Sequence, residues 1–259
     1  VKIKIIASDI ALLYNPPNQM SKWGQVLICD GTDSTMDVAA RLAEKRAPAW
    51  TTVLALKQNA GRGRLARRWI SPSGGIYLSV VLRPRDGITA VPRLGLIMSA
   101  ATAEFLKDEF GIDAKTKWPN DVLVNEKKIS GILTETGISG GRLLWAIMGI
   151  GVNLNASPHL DTAISVLELT GRKYPVRSSA RKLIKYLRKA YNNYSSIPLG
   201  AVKYWIKNSS TPLRRVSIEN PDGGISGLAV GIDLSGALVV KTRSGALERV
   251  YSGDCIHLR

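Results

Sequence analysis

The chain is short of the residues that most often carry nucleophilic or metal chemistry. Its 259 residues include two cysteines, Cys29 and Cys255, too few for a disulfide framework or a thiolate zinc cluster. They include two histidines, His159 and His257, which argues against a histidine triad or a histidine-rich metal centre. No apolar run reaches the roughly 18 residues that a membrane helix needs. The first residues, VKIKIIASDIALLYN, hold a short apolar run that Asp9 interrupts, and no small-residue cleavage site clearly follows, so a secretory leader is not expected. There is no internal repeat, no low-complexity tract and no Gly-Lys-Ser/Thr ending of a Walker A loop. These absences point to a cytoplasmic protein in a reducing setting.

Apolar residues make up 45% of the chain, enough for a sizeable core, and the length allows one large domain or one domain with a small companion. The net charge of +16 permits attraction to nucleic acid, acidic proteins or phosphorylated ligands and identifies none of them. The cations are spread along the chain, so a generally basic surface accounts for most of that charge.

The most informative stretch is Gln58–Gly74, QNAGRGRLARRWISPSG. Gly61 and Gly63 allow sharp turns and close approach to a ligand. Arg62 and Arg64 are two residues apart and share a side if the loop is extended. Arginine suits forked contact with phosphate or carboxylate oxygens, and Trp69 offers a flat face for a purine. The stretch reads as an anion-gripping loop with an aromatic wall. The β-branched run Thr51–Lys57 and the run Ile76–Arg83 predict strands on either side, so the loop hangs from a rigid sheet.

Around it the chain reads in order. Residues 1–24 form a short strand and an irregular arm. Gln25–Asp30 is a buried strand. Ser34 or Thr35 caps a helix to about Arg46, with Asp37 at capping-box spacing from Ser34; read alone, Ser34 and Thr35 are that cap and nothing more. Leu94, Met98, Ala101 and Phe105 mark the buried face of a helix over 91–110, closed by Gly111. In AKTKWPNDVLV, Lys115 and Lys117 share a strand face, Pro119 stops the pairing, and Asn120 and Asp121 turn the chain. Lys117 is either an exposed strand lysine or a cation held at the sheet end to face a ligand carboxylate or phosphate. KKISGILTET returns from a hairpin tip at Asn125–Glu126. RLLWAIMGIGVN is an apolar strand whose Gly149 and Gly151, with Gly131, leave room for a backbone or a ligand. A connecting region follows, with helices over 178–194 and 199–207. Beyond a boundary near Ser209–Pro212, short strands alternate with turns, as in a small antiparallel barrel.

GRGRLARRWISPSG, KWPNDVLV, KKISGIL and GIGVNLN, in that order, resemble the biotin protein ligases (biotin–acetyl-CoA-carboxylase ligases), and ISGLAVGIDLSGALVV resembles their small C-terminal barrel. The likeness covers roughly residues 25–258. It implies an α+β fold with a central mixed β-sheet flanked by helices, class II synthetase-like, over residues 1–210, and a small antiparallel β-barrel over 211–259. It implies activation of biotin by ATP with magnesium to biotinyl-5′-AMP, then transfer to a lysine of a biotin carboxyl carrier protein.

By motif, the resemblance gives Lys117 the biotin carboxylate and the α-phosphate through both steps, with Arg62 and Arg64 as further catalytic cations. Ser34 and Thr35 hold the ureido ring, and Gln58 with the Gly61–Arg64 backbone closes over biotin. Gly131, Gly149 and Gly151 shape the slot. Arg64, Arg67, Trp69, Asn120, Lys128 and Asn153 fall on the nucleotide side. Magnesium ligands are not readable, although Asn120 and Asp121 lie near. Met36 stands where many members have Asn, and Ala66 where some have a third glycine, which stiffens the loop.

The N-terminal arm is too short for the winged helix-turn-helix of some members, so operator binding is not expected. Members often pair through the sheet, which leaves a homodimer open. A lipoate–protein ligase of the same fold is the nearest alternative, and a basic nucleic-acid-binding protein is the alternative from another class.

Overall fold

The computed structural model describes residues 25–258 apart from 157, 159, 221 and 222. The expected arm over 1–24, His159 and part of the turn at 221–224 lie outside the described residues. The chain divides into two compact units, one of residues through Ile88 with Lys127–Lys182, the other of Thr89–Glu126 with Leu183 onward. The boundary expected at residue 210 falls inside the second unit.

The first unit is built on five strands: β1 (Val26–Cys29), β2 (Thr52–Ala55), β3 (Ile76–Leu82), β6 (Lys127–Ser139) and β7 (Arg142–Val152). β1 and β2 run parallel, and the pairs β2–β3, β3–β7 and β7–β6 are antiparallel, so the sheet is mixed. Every residue of β3 is buried, which is why its sequence is an unbroken apolar run apart from Ser79. Helix α1 (Thr35–Glu44) turns Met36, Val38, Ala39, Leu42 and Ala43 onto Cys29, Val53, Ala55, Val81 and Ile147. Burying one such leucine or valine contributes about 1.5–3 kcal/mol.

Ser34 caps α1, accepting from the Met36 N–H at 3.3 Å. The expected box with Asp37 does not form, because that carboxylate is held by Arg62. α1 also stops at Glu44, two residues early, and Arg46 turns left-handed at φ 60°. A complete capping box stands instead at the start of α3 (Val166–Thr170), where Ser165 and Glu168 each bond the other's backbone N–H. The sequence reading left this segment as a connection.

In the second unit, α2 (Val91–Phe110) ends at Gly111 with φ 70°, as expected. Leu94, Met98, Ala101 and Phe105 are fully buried. The hairpin β4 (Lys115–Lys117) and β5 (Asp121–Val124) follows. Helix α4 (Val176–Tyr194) begins in the first unit and from Leu183 on belongs to the second, where it buries Leu183, Ile184, Leu187 and Ala190, and α5 spans Pro198–Lys207. The remaining strands, β8 (Arg215–Asn220), β9 (Gly223–Ile232), β10 (Leu238–Thr242), β11 (Leu247–Val250) and β12 (Asp254–His257), form an antiparallel sheet in the order β11-β10-β9-β8-β12. Among the described residues β11 and β12 stand at its two ends, and the sheet supplies the antiparallel strands expected of the small C-terminal domain. Val216, Ile218, Leu238, Val240 and Val250 from this sheet share one core with Leu96, Trp118, Val202 and Trp205. This shared core explains why no compact unit begins at 211. Among the described residues no helix is long and apolar enough to cross a membrane.

Replacing Ser165 with Ala removes one side of the α3 box. The expected loss is about 1 kcal/mol of stability, read as a lower midpoint in urea denaturation with an unchanged slope.

Candidate active site

The arginine loop does hang between two strands, β2 and β3. Its entrance is a chain of hydrogen bonds. Ser79 on β3 donates to the Thr35 hydroxyl at 2.8 Å. Thr35 donates its hydroxyl proton and its N–H to Gln58 Oε1, at 3.0 and 2.8 Å. Gln58 Nε2 donates to Ser71 Oγ at 2.9 Å, and Ser71 donates to the Trp69 carbonyl at 3.0 Å. A backbone N–H only donates, so the amide oxygen of Gln58 must face Thr35. Both edges of the loop are thereby tied to the start of α1. Beside this chain lies a shallow cavity lined by Lys57, Gln58, Arg68, Ile70, Ser71 and Ser73.

Gly61 sits where a Cβ would fall 2.5 Å from the Trp69 carbonyl oxygen, so no other residue fits without movement. Beyond Gly63 the chain is not extended. Leu65 and Ala66 have φ of 52° and 57°, the Gly63 N–H donates to Arg67 O at 2.7 Å, and Arg62 pairs across to Arg68. The motif is therefore a tight hairpin tip, and Ala66 holds a left-handed conformation that glycine adopts without penalty.

Arg62 points at carboxylates. Its guanidinium pairs with Asp37 on α1 and grips Glu135 on β6 with Nε and Nη2, at 3.1 and 3.0 Å. Partial burial opposes its charge, but the bonds to Asp37 and Glu135 outweigh that and raise its pKa. Arg62 is therefore engaged by two carboxylates of the protein itself.

The glycines read as a slot are in contact with protein side chains. A Cβ on Gly151 would lie 2.5 Å from the Trp69 indole, and one on Gly131 3.1 Å from it. A Cβ on Gly149 would lie 2.5 Å from the Met36 sulfur. Trp69 and Met36 thus take up the room these glycines leave. Lys128 Nζ sits 5.3 Å from the centre of a Trp69 ring, a cation–π distance. Asn153 is buried, and its amide donates to the carbonyls of Lys128 and Ile164, at 3.3 and 3.1 Å. Arg64 is half-buried and Arg67 is exposed.

Lys117 and Asn120 belong to the second unit. Lys117 ends β4, opposite Asp121, and Asn120 lies in the turn after the cis Trp118–Pro119 peptide. β4 is not a bare edge: the Thr116 N–H donates to Asn208 O at 2.7 Å and the Ser210 N–H to Thr116 O at 2.9 Å. Lys117 is half-buried rather than fully exposed, and it makes no hydrogen bond or ion pair with any described residue. Sequence reading missed His257. Burial, then the nearby charge of Lys117, pushes its pKa down to about 4.

Two family models match this chain: the biotin/lipoate A/B protein ligase family over residues 29–153 and the biotin protein ligase C terminal domain over 214–258. The bifunctional ligase/repressor BirA of Bacillus subtilis is 34% identical over 89% of this chain and 74% of its own length. The biotin–[acetyl-CoA-carboxylase] ligase of Paracoccus denitrificans is 32% identical over 83% of this chain and 93% of its own. Among solved structures, the Aquifex aeolicus biotin protein ligase in complex with biotin and ATP matches with a TM-score of 0.76 and 28% identity, covering 91% of this chain and 99% of that one.

Two outcomes follow from this geometry. Gly151→Ala drives a methyl into the Trp69 indole, so the loop over 61–73 is expected to loosen and to be cut faster in limited proteolysis mapped by mass spectrometry. For His257, the unfolded chain takes up a proton near the ordinary pKa of 6.5 and the folded one only near 4. Its contribution to stability is therefore whole above about pH 6.5 and falls as the pH drops toward 4. Denaturation curves of His257→Gln are expected to show a flatter pH dependence across that window.

Proposed function

The chain belongs to the biotin protein ligases, and from that premise we propose how its residues divide the work. The enzyme is an ATP-dependent biotin–[acetyl-CoA-carboxylase] ligase that activates biotin as biotinyl-5′-AMP and transfers it to protein. A biotin carboxylate oxygen attacks the α-phosphorus, and the bond from that phosphorus to the bridging oxygen of pyrophosphate breaks. A lysine amine then attacks the acyl carbon and AMP leaves, forming an amide. Neither step takes a nucleophile from the enzyme, in keeping with the scarcity of histidine and cysteine.

The first step brings two anions together. At about 4 Å and an effective dielectric constant of about 20, their repulsion is about 4 kcal/mol. A fixed cation at that point offsets it, which is catalysis by preorganised charge. We assign that role to Lys117. The observation that supports the assignment is that Lys117, half-buried as a residue, makes no hydrogen bond or ion pair with a described residue.

Ser34 and Thr35 are assigned to the ureido ring. Thr35 already accepts from Ser79 and donates to Gln58, which leaves one lone pair for a ring N–H. Gln58, Gly61, Gly63, Arg62 and Arg64 cover biotin, with Gly131, Gly149 and Gly151 beneath. Arg64, Arg67, Trp69, Asn120, Lys128 and Asn153 serve the nucleotide. Magnesium arrives on the phosphates of ATP. For Trp69 and Met36 this reading requires the two side chains to yield room when biotin enters. The acceptor is the carrier domain of a biotin-dependent carboxylase, in the cytoplasm, a setting that two buried free thiols support.

Biotin-dependent ATP–pyrophosphate exchange tests the reading, with lipoate as the control. Biotin is expected to support exchange and lipoate to fail. Lys117→Ala is expected to lower exchange by about a hundredfold or more without changing the melting temperature. Exchange with lipoate alone overturns the choice of biotin, and an undiminished variant overturns the role of Lys117.

A further inference from the structure

The structure assigns Thr211, backed by His257 of the last strand, as a positioning residue that aims Lys117. This rests on the role proposed for Lys117, and it brings the C-terminal strands into the first chemical step.

Lys117 is flanked by two fixed residues. Before it, Thr116 is fully buried and its peptide is bonded on both sides to 208–210. After it, Trp118 is 2% exposed, its indole N–H donates to Gly236 O at 3.3 Å, and its backbone N–H donates to Thr211 Oγ1 at 3.0 Å. Thr116 in the strand and Trp118 just after it are both buried, while Lys117 between them is partly exposed, so the backbone is held on either side of this lysine. The Trp118 N–H belongs to the peptide that carries Lys117's own carbonyl, so Thr211 sets the orientation of that peptide plane.

Proton accounting joins His257 to the same bond. Thr211 is fully buried, and its oxygen lies 3.2 Å from His257 Nε2. The oxygen uses a lone pair for the Trp118 N–H, and its single proton has one acceptor among the described residues, His257 Nε2. In the neutral tautomer with its proton on Nδ1, His257 Nε2 accepts that proton, while Nδ1 is buried without a partner among the described residues. A protonated ring would set N–H against O–H and would add a second cation near Lys117 and Arg214, opposed by Glu126. A neutral ring keeps the Thr211 bond directed at Trp118 and leaves Lys117 as the cation offered to the ligand.

The test is pyrophosphate exchange at saturating and limiting biotin for Thr211→Val, Thr211→Ser, His257→Leu and His257→Gln, with Lys117→Ala in parallel. Thr211→Val and His257→Leu are expected to lose about ten- to a hundredfold in kcat, with a smaller change in KM for biotin. Thr211→Ser, which restores the hydroxyl, and His257→Gln, which restores an acceptor, are expected to stay within about threefold of the parent on that scale. In the Lys117→Ala background Thr211→Val should lower the rate no further, since it acts through the missing ammonium. Full kcat in a folded Thr211→Val overturns the proposal, as does failure of Thr211→Ser to recover it. If Thr211→Val does not fold, the His257→Leu and His257→Gln pair decides, because His257 is half-exposed at the end of β12. Loss in Lys117→Ala with none in the other variants sinks this inference alone, while an active Lys117→Ala sinks the role proposed for Lys117 from which it starts.

Discussion

Crowded positive charge is the constraint that the first unit is arranged to satisfy. Four arginines fall between residues 62 and 68, and like charges a few ångströms apart repel by about 1–4 kcal/mol depending on their solvent. Two carboxylates from different elements meet Arg62, and Arg68 donates to the Asn59 carbonyl. The backbone between them closes on itself through Gly63 and Arg67. Exposed ion pairs contribute little to stability, so the value of the Arg62 pairs lies in register. They join the loop to α1 and to β6 at once, and the Thr35–Gln58–Ser71 chain holds its base.

The elements readable from sequence were those whose signal is local. The helix over 91–110 has its apolar face, its proline start and its left-handed glycine end within one stretch, and the structure ends it at the same residues. The strands on either side of the arginine loop announce themselves by β-branched runs. What escaped notice was set by partners far along the chain. Asp37 stands where a capping acid belongs, yet Arg62, 25 residues away, takes its carboxylate. Glu135 is 73 residues from the same arginine. Nothing near Ser34 in the sequence announces either pairing.

The site glycines teach the same lesson from the other side. Gly131, Gly149 and Gly151 alternate with apolar residues, and from sequence they mark only that something must come close. A ligand, a neighbouring backbone and a side chain all satisfy that requirement. The structure supplies two side chains, Trp69 and Met36. Met36 was visible as a departure from the family's Asn, but its contact with Gly149 depends on α1 lying against β7, a tertiary fact. The capping box at Ser165 and Glu168 is different: its four-residue signature was present in the sequence, within a segment too short to show helical periodicity.

The division of labour between arginine and lysine follows from their chemistry. A guanidinium carries five donors in a fixed plane and can bridge several oxygens, as Arg62 does with Asp37 and Glu135. An ammonium is a compact point charge on a flexible stem, and it holds a direction only if its backbone is held. In the second unit the backbone on both sides of Lys117 is held by buried groups, Thr116 to 208–210 and Trp118 to Thr211. The frame of buried groups around residue 117 therefore fixes the backbone from which this lysine departs, whereas Arg62 is fixed at its head by the carboxylates that it bridges.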